Sequence, residues 1–235
     1  TSTVQANTTA GFSIVTWTGT GATVTLGHGL GKKPDVMIVK NRDATNSWVV
    51  YHSANTSAPA TEYLLLNTTA GTADNNTLWN DTEPTDSVFT VYGQGAMNGN
   101  TNKMLAYLFT EIEGFSKFGS YTGNANVDGP FIYLGFRPAF ILEKRTDSAG
   151  AWYITDMTRD TYNPVNKYLM PDASNAEASG STSSAVYLDA LSNGYKIRGT
   201  GAGQEYNRSG GTYIYAAFAE NPFQGADGVT QARAR

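Results

Sequence analysis

An internal repeat constrains the fold of this chain more than any other feature of its sequence. The segment LGKKPDVMIVKNRDATNSW (residues 30–48) is matched by LGFRPAFILEKRTDSAGAW (residues 134–152) at one constant offset. Further segments match in the same order: FSIVTWTG (12–19) with FSKFGSYTG (115–123), EYLLLN (62–67) with KYLMPD (167–172), SVFTV (87–91) with NGYKI (193–197), and MLAYLFTEIEGF (104–115) with YIYAAFAENPF (213–223). Agreement in order over the whole length indicates duplication of one structural module.

The glycine-rich stretch GHGLGKK (residues 27–33) looks at first like a loop that binds phosphate. In a dinucleotide-binding fingerprint, however, the glycines follow a strand and open a helix, whereas an alternating β-type run follows here. The second copy has Phe136 and Arg137 where the first has two lysines. We therefore predict a tight turn in each copy, in which glycine adopts unusual dihedral angles and proline delays strand pairing. The residues concerned are Gly31, Gly135, Pro34 and Pro138.

Composition favours strands over helices. Only 15% of the residues are charged, against about 25% in a typical globular protein. Thr, Asn, Ser and 25 glycines supply the polar character instead, and these residues suit strands and turns. We predict an all-β protein made of two tandem, structurally similar antiparallel β-sandwich (jelly-roll-like) repeats that are packed together. The absence of cysteine excludes disulfides and thiolate metal sites, and it favours assembly in a reducing cytoplasm.

The repeat and the turn signals divide the chain into four parts. We predict an N-terminal arm without a strand (1–11), a first β-sandwich (12–114), a second (115–223) and a C-terminal arm (224–235). Trp48 and Trp152 are expected to anchor the cores, and residues 67–76 and 172–184 are expected to project as loops. The predicted strands are 12–18, 22–27, 35–41, 47–52, 62–67, 77–80, 87–92 and 103–111 in the first copy, and 117–122, 130–134, 139–145, 151–156, 167–170, 184–189, 194–199 and 212–219 in the second.

Charge and hydropathy limit the classes of partner. The net charge is −4, which argues against a general nucleic-acid binder. No apolar run approaches the roughly 20 residues that cross a bilayer, and no signal-peptide pattern opens the chain. We therefore expect neither nucleic acid nor a membrane as a partner.

No pattern of residues marks a catalytic, cofactor-binding or metal site, and none is predicted. His28 and His52 are the only histidines, neither recurs in the second copy, and both are interpreted as surface or half-buried residues. Scattered carboxylates occur at Glu111, Glu113, Asp128, Asp147 and Asp156, and nothing in the sequence pairs them as in a glycosidase. The oxygen-rich segment DNNTLWND (74–81) lacks the spacing of a calcium loop. Exposed aromatics could form a sugar-stacking platform, although most aromatics in a β-rich chain lie in the core or between strands.

The C-terminal segment GADGVTQARAR is polar and ends in a pair of arginines. Such a tail is either a frayed terminus or an arm that docks on an acidic partner. Arg233 and Arg235 are the predicted partner-binding residues.

A set of motifs extends across residues 11–223: GHGLGKKPDVMIVKNR…SWVVYH, YLLLN, EIEGFSKFGSYTGN…DGPFIYLGFRPAFILEKRTD…WYI, YNP, LSNGYKIRG and YIYAAFAENPF. Together these motifs resemble a domain in virion proteins of tailed bacteriophages, both tail-fibre-like proteins and capsid decoration (cement) proteins. The resemblance implies a non-enzymatic, β-rich structural module that is commonly oligomeric.

Within this resemblance, we expect a capsid decoration protein that binds the outside of the major capsid shell as a homotrimer and stabilises it. It would be assembled in the cytoplasm of the host bacterium, with the major capsid protein as its partner. The alternative is a tail-fibre or receptor-binding module that recognises a host surface glycan. Fibre proteins usually carry an attachment domain and a repetitive shaft. These 235 residues contain neither, so decoration is favoured provided that 235 residues is the natural length. A carbohydrate-active enzyme or lectin unrelated to virions is the third hypothesis.

Overall fold

The computed structural model describes residues 2–200 and 206–222. Strands make up 43% of the structure and helices 5%, and the strands form several antiparallel sheets, which confirms the predicted all-β class. The chain divides into two compact units. Unit 1 comprises the described residues up to Asn67 together with Thr72–Ile112, and unit 2 comprises Thr68–Gly71 together with the described residues from Glu113 onward.

Unit 1 contains one large and one small sheet. The large sheet has the order β1-β2-β9-β4-β5-β6-β7, and β3 pairs with β8 in the small sheet. The strands are β1 (Ser2–Asn7), β2 (Phe12–Thr18), β3 (Val24–Gly27), β4 (Val36–Asn41), β5 (Val49–His52), β6 (Glu62–Leu65), β7 (Ala73–Asp74), β8 (Val88–Val91) and β9 (Lys103–Phe109). Three short helices complete the unit: a 3-10 helix (Pro59–Thr61), α1 (Asn76–Trp79) and α2 (Gly95–Asn98).

Two predictions about the secondary structure of unit 1 are wrong. Residues 1–11 were expected to lack a strand, yet β1 pairs antiparallel with β2 along its whole length. Residues 77–80 were expected to form a strand, yet this segment lies in and just after α1. The Asn75 side chain accepts a hydrogen bond from the backbone N–H of Thr77 and caps the start of α1, and Asn80 ends it in the left-handed conformation. These local asparagine bonds outweigh the apolar pattern that resembles a strand.

Alternation along the strands builds the core of unit 1. Every second residue of β2 faces inward, so Val15 and Trp17 are buried while their neighbours are partly exposed. Both sheets contribute to one buried cluster, with Val39 and Met104 from the large sheet and Phe89 from the small sheet. Burial of such side chains is the main stabilising contribution of a two-sheet unit.

Unit 2 is built from sheets of four, three and two strands. Their orders are β10-β18-β12-β13, β11-β17-β16 and β14-β15. The strands are β10 (Ser116–Thr122), β11 (Phe131–Tyr133), β12 (Pro138–Arg145), β13 (Trp152–Asp156), β14 (Lys167–Tyr168), β15 (Ala178–Ser179), β16 (Leu188–Leu191), β17 (Gly194–Ile197) and β18 (Thr212–Ala219). The two predicted projecting loops each contain a two-residue strand, β7 in unit 1 and β15 in unit 2.

The core of unit 2 is rich in tyrosine. Tyr121, Tyr195, Tyr213 and Tyr215 are all buried in one cluster, to which β10, β17 and β18 contribute.

In each unit a tryptophan was predicted to anchor the core. Trp152 is buried, but Trp48 is half-buried with the ammonium of Lys40 5.9 Å from its ring centroid, so the prediction for Trp48 is wrong.

The repeated Gly-x-x-Pro element forms a turn, as predicted. Gly31 and Gly135 have φ angles of 71° and 82°, which favour glycine because a Cβ atom is strained there. Pro34 precedes β4. Pro138 differs from the expectation, because it is the first residue of β12 and stands opposite Ala219, before a register shift. The first position of a strand is one that proline tolerates.

Candidate functional site

A buried asparagine holds the loop after β2 in unit 1. The side-chain oxygen of Asn98 accepts hydrogen bonds from Trp17 Nε1 (2.8 Å) and from the backbone N–H of Thr20 (3.2 Å). Its Nδ2 donates to Thr20 Oγ1 (2.9 Å) and to the carbonyl of Ala22 (2.6 Å). Asn98 is fully buried, and all of its hydrogen-bonding capacity is used. We call Asn98 with these partners the first asparagine clamp.

Unit 2 contains the same arrangement. The side-chain oxygen of Asn207 accepts from the backbone N–H of Asn124 (2.9 Å), and its Nδ2 donates to Asn124 Oδ1 (3.2 Å) and to the carbonyl of Asn126 (3.1 Å). A further bond reaches the carbonyl of Gly199 (2.7 Å). Asn207 is also fully buried. This second asparagine clamp holds the loop after β10, as the first holds the loop after β2.

Four further pairs of side chains make matching bonds in the two units. Aspartates accept from the first backbone N–H of a central strand, with Asp43 bound to Lys103 (2.7 Å) and Asp147 to Thr212 (3.0 Å). Asn67 in unit 1 and Asp172 in unit 2 accept from the backbone N–H groups of Trp48 and Trp152, respectively. Lys40 and Lys144 donate to the carbonyls of Asn46 and Gly150. His52 and Asp156 accept from the backbone N–H groups of Ala54 and Thr158. All of these side chains fix backbone groups at strand ends and hairpins, where pairing within the sheet stops.

Glu143 is the most unusual polar residue of the described structure. It lies on β12 with 1% of its surface exposed, and it faces the tyrosine-rich core. Tyr195 donates a hydrogen bond to Glu143 Oε1 at 2.8 Å, whereas Oε2 has no hydrogen-bonding partner. The hydroxyl of Tyr206 is likewise buried without a partner. A buried carboxyl group with one unpaired oxygen is costly and calls for a physical explanation.

Burial raises the pKa of Glu143 to about 7, because the ionised form loses its hydration. The nearby hydroxyls of Tyr206, Tyr195 and Tyr121 act in the opposite direction and lower this pKa. The Tyr206 hydroxyl is thus near enough to influence the carboxyl group without forming a well-aligned hydrogen bond. Burial also raises the pKa values of these three tyrosines, so their hydroxyls stay neutral. At neutral pH this cluster can therefore hold or release one proton at Glu143.

Both histidines are buried, so the expectation of surface or half-buried residues is wrong. His28 Nδ1 accepts from the N–H of Leu30 at 3.2 Å, which leaves the proton on Nε2 to bond with the carbonyl of Thr85 at 3.3 Å. Burial lowers the pKa of His28, against smaller opposing effects of Thr85 and Asp86. His28 is thus a neutral histidine that holds a turn.

Two of the carboxylates that the sequence left scattered form ion pairs. Asp128 pairs with Lys196 at 2.7 Å and Asp147 with Arg145 at 2.7 Å, and the cation lowers the pKa of each carboxyl group. In segment 74–81, Asn75 bonds to Thr77 as the cap of α1. Within residues 2–200 and 206–222, no group of three or more His, Cys, Asp or Glu is placed to hold a metal ion.

Exposed aromatic residues occur on β11 of unit 2. Phe131 and Tyr133 are 44% and 63% exposed, and they share one face of the strand because they are two positions apart. Tyr162, in a loop, is 84% exposed. The predicted partner-binding residues Arg233 and Arg235 lie outside the described residues. None of the described helices has the length and apolar character of a membrane span.

A family described as a domain of unknown function, DUF7483, matches residues 1–222. The chain belongs to the DUF7483 family. The match extends over both units, so the DUF7483 domain is the pair of units and not one of them. No curated protein and no solved structure matches the chain.

Neither Glu143 nor the two asparagine clamps were predicted from the sequence of this DUF7483 chain. A signal for Glu143 exists in the repeat, because Val39 occupies the equivalent position in the apolar run of the first copy. A carboxylate at an inward position of a buried strand is rare enough to single out. No comparable signal exists for Asn98 and Asn207, since the sequence contains many asparagines.

Proposed function

We propose that this chain is a non-enzymatic structural protein of a bacteriophage virion, in which two tandem copies of one β-sandwich form a scaffold. Its most favoured role is that of a capsid decoration protein on the outer surface of the major capsid shell. The observation that carries the proposal is that equivalent polar side chains in both units bond to the backbone around them. A shell protein needs such internally fixed strand ends and loops to present a constant surface to its neighbours.

Strand order supports the duplication. The run β2-β9-β4-β5-β6-β7 in unit 1 has the same order as β10-β18-β12-β13 followed by β14-β15 in unit 2. An isolated bridge between Ile154 and Leu169 links β13 to the segment after β14. The pair β3-β8 corresponds to β11-β17. The aligned sequence segments fall on these corresponding strands, and the two asparagine clamps occupy corresponding loops.

The decoration role is tested by co-sedimentation of the purified full chain with capsid shells from the phage that encodes it. We expect saturable binding with a stoichiometry that matches a symmetric set of lattice positions, and shells that resist heating better, because a ligand of the assembled lattice stabilises it. In solution we expect a trimer, about three times the 25.2 kDa of one chain, by analytical ultracentrifugation. Absence of binding to the shells would contradict the decoration role.

Removal of residues 225–235 tests the predicted docking arm. This deletion removes Arg233 and Arg235, and we expect binding to the shells to weaken by at least roughly tenfold if both arginines pair with acidic groups. The matched control is the full-length variant in which both arginines are replaced by lysine, which retains the charge. Unchanged binding of the truncated chain would refute the arm while leaving the decoration role intact.

The exposed pair Phe131 and Tyr133 favours glycan recognition, and hence a tail-fibre role, as the second candidate. Adjacent aromatic rings on one face of a strand offer an apolar surface on which a sugar ring can stack. Under this alternative, the double variant Phe131→Ala/Tyr133→Ala should lose binding to host cells. The loop variant Tyr162→Ala is the control and should retain it. Binding of the wild-type chain to host cells, with none to capsid shells, would replace the decoration role with this one.

A further inference from the structure

The carboxyl group of Glu143 lies between the sheets of unit 2. In register, Glu143 stands opposite Tyr153 on β13 and Tyr215 on β18, and Tyr195 on β17 reaches it from the second sheet. The remaining ionisable groups of the cluster are Tyr121 on β10, Tyr206, and Tyr213 on β18. Among the residues that the structure describes, the ionisable side chains that face this carboxyl group are therefore tyrosines.

The basic residues next to Glu143 are engaged elsewhere. On β12, Arg145 donates two hydrogen bonds to Asp147, through Nε at 2.9 Å and through Nη2 at 2.7 Å. Lys144 points to the opposite face of the strand, where it donates to the carbonyls of Thr69 and Gly150. Among the described residues, no cation contributes to the pKa of Glu143. A negative charge at this carboxyl group would thus be met only by hydroxyl dipoles.

Unit 1 provides an internal comparison. Val39 takes the place of Glu143 in the aligned repeat and is fully buried. Around Val39, the positions of three cluster tyrosines are apolar, with Trp17 for Tyr121, Phe89 for Tyr195 and Met104 for Tyr213. The carboxyl group and the hydroxyls around it thus occur together in unit 2 and are both absent from the equivalent positions of unit 1. Their joint occurrence indicates that the hydroxyls accommodate the carboxyl group.

We propose that Glu143 is a proton-binding site that couples the stability of unit 2 to pH near neutrality. In its neutral form the carboxylic acid can donate as well as accept a hydrogen bond, so both of its oxygens can be accommodated among the tyrosines. Loss of the proton leaves a buried charge, and folded unit 2 loses stability relative to the unfolded chain, in which water solvates the carboxylate.

The sign of the pH effect follows from proton binding. The ordinary pKa of a glutamate is 4.5, and burial raises that of Glu143 to about 7. Between these values the folded unit retains a proton that the unfolded chain releases. The stabilising contribution is therefore complete below pH 4.5 and is lost as the pH rises to about 7. Between pH 4.5 and pH 7 we expect the unfolding equilibrium constant of unit 2 to increase roughly 80-fold from this group alone.

Comparison of the wild-type chain with the Glu143→Gln variant isolates the effect. Glutamine retains an acceptor for Tyr195 but does not titrate, so the ratio of the unfolding equilibrium constants of the two proteins should change roughly 120-fold between pH 4.5 and pH 7.5. Unfolding of unit 2 is measured by hydrogen exchange of peptides from β17 and β18, corrected for the pH dependence of intrinsic exchange. The lowered pKa of His28 gives an effect of opposite sign, but it is present in both proteins and cancels.

Two matched variants and a spectroscopic measurement complete the test. Glu143→Val reproduces the residue of unit 1 and should also remove the pH dependence, whereas Glu113→Gln, at an exposed position, should preserve it. Carbon-13 NMR of the wild-type protein should place the titration of the Glu143 carboxyl group near pH 7. The proposal is overturned if this group titrates near pH 4.5, or if Glu143→Gln retains the pH dependence of the wild-type chain.

Discussion

Substitution of alanine for Asn98 is expected to destabilise unit 1 by roughly 3–4 kcal/mol, and Asn207→Ala is expected to destabilise unit 2 by a similar amount. Each asparagine makes four hydrogen bonds from a fully buried position. Truncation leaves several buried backbone and side-chain groups unpaired, including the indole N–H of Trp17. Each unpaired group costs about 1–3 kcal/mol, and partial entry of water reduces the sum.

Hydrogen exchange measured by mass spectrometry resolves the effect by unit. Peptides from β2 and β9 should lose protection in Asn98→Ala, and those from β10 and β18 in Asn207→Ala. Asn100→Ala and Ser209→Ala are the controls, since both residues are exposed neighbours of the clamps and should change stability by less than about 0.5 kcal/mol. A clamp variant that behaves like its neighbouring control would show that the corresponding clamp has no structural role.

The second large effect is expected at the glycines that approach the clamps. A Cβ atom on Gly19 would lie 1.9 Å from the carbonyl oxygen of Gly99, and one on Gly123 would lie 2.3 Å from that of Arg208. Both obstacles are backbone atoms, so a Cβ atom at either glycine would force the loop away from the segment that precedes β9 or β18. Gly19→Ala and Gly123→Ala should each destabilise their own unit by at least about 3 kcal/mol.

Gly95→Ala is the control for the glycine variants, because nothing lies within 4 Å of its added Cβ atom. Gly199→Ala serves for unit 2, with no neighbour closer than 3.7 Å. Both controls should fold and melt close to the wild-type temperature, as judged by circular dichroism. If Gly19→Ala and Gly123→Ala also melt there, the close backbone approach at these loops does not exist in solution.

The strands were predictable from sequence because inward and outward residues alternate along them. Residues 12–18 and 212–219 form β2 and β18 with the predicted bounds. The repeat also predicted which strands of the two units are equivalent, since a motif that is weak evidence by itself becomes stronger evidence when it occurs twice in the same order. The turn glycines Gly31 and Gly135 were predictable for the same reason.

What the sequence did not indicate depends on contacts between distant residues. Ser2–Asn7 forms a strand because β2 offers an edge, and its own side chains are mostly exposed, so no alternation marks it. Asn98 lies 81 positions from Trp17, and nothing local distinguishes it from the exposed Asn100. Glu143 was interpreted as part of an apolar run. The cluster around it could not be recognised from the sequence, because its tyrosines come from five separate segments.

The equivalence of the two units depends on the asparagine clamps, which hold equivalent loops in both. Amide hydrogen exchange followed by NMR tests it residue by residue. The bonded amides are those of Gly19, Thr20, Gly21, Thr101 and Asn102 in unit 1, and Gly123, Asn124, Ala125, Gly210 and Gly211 in unit 2. We predict that all ten exchange roughly 100-fold or more slowly than amides of an unstructured chain. Protection of one set of five, with exchange of the other set at unstructured rates, would contradict this equivalence.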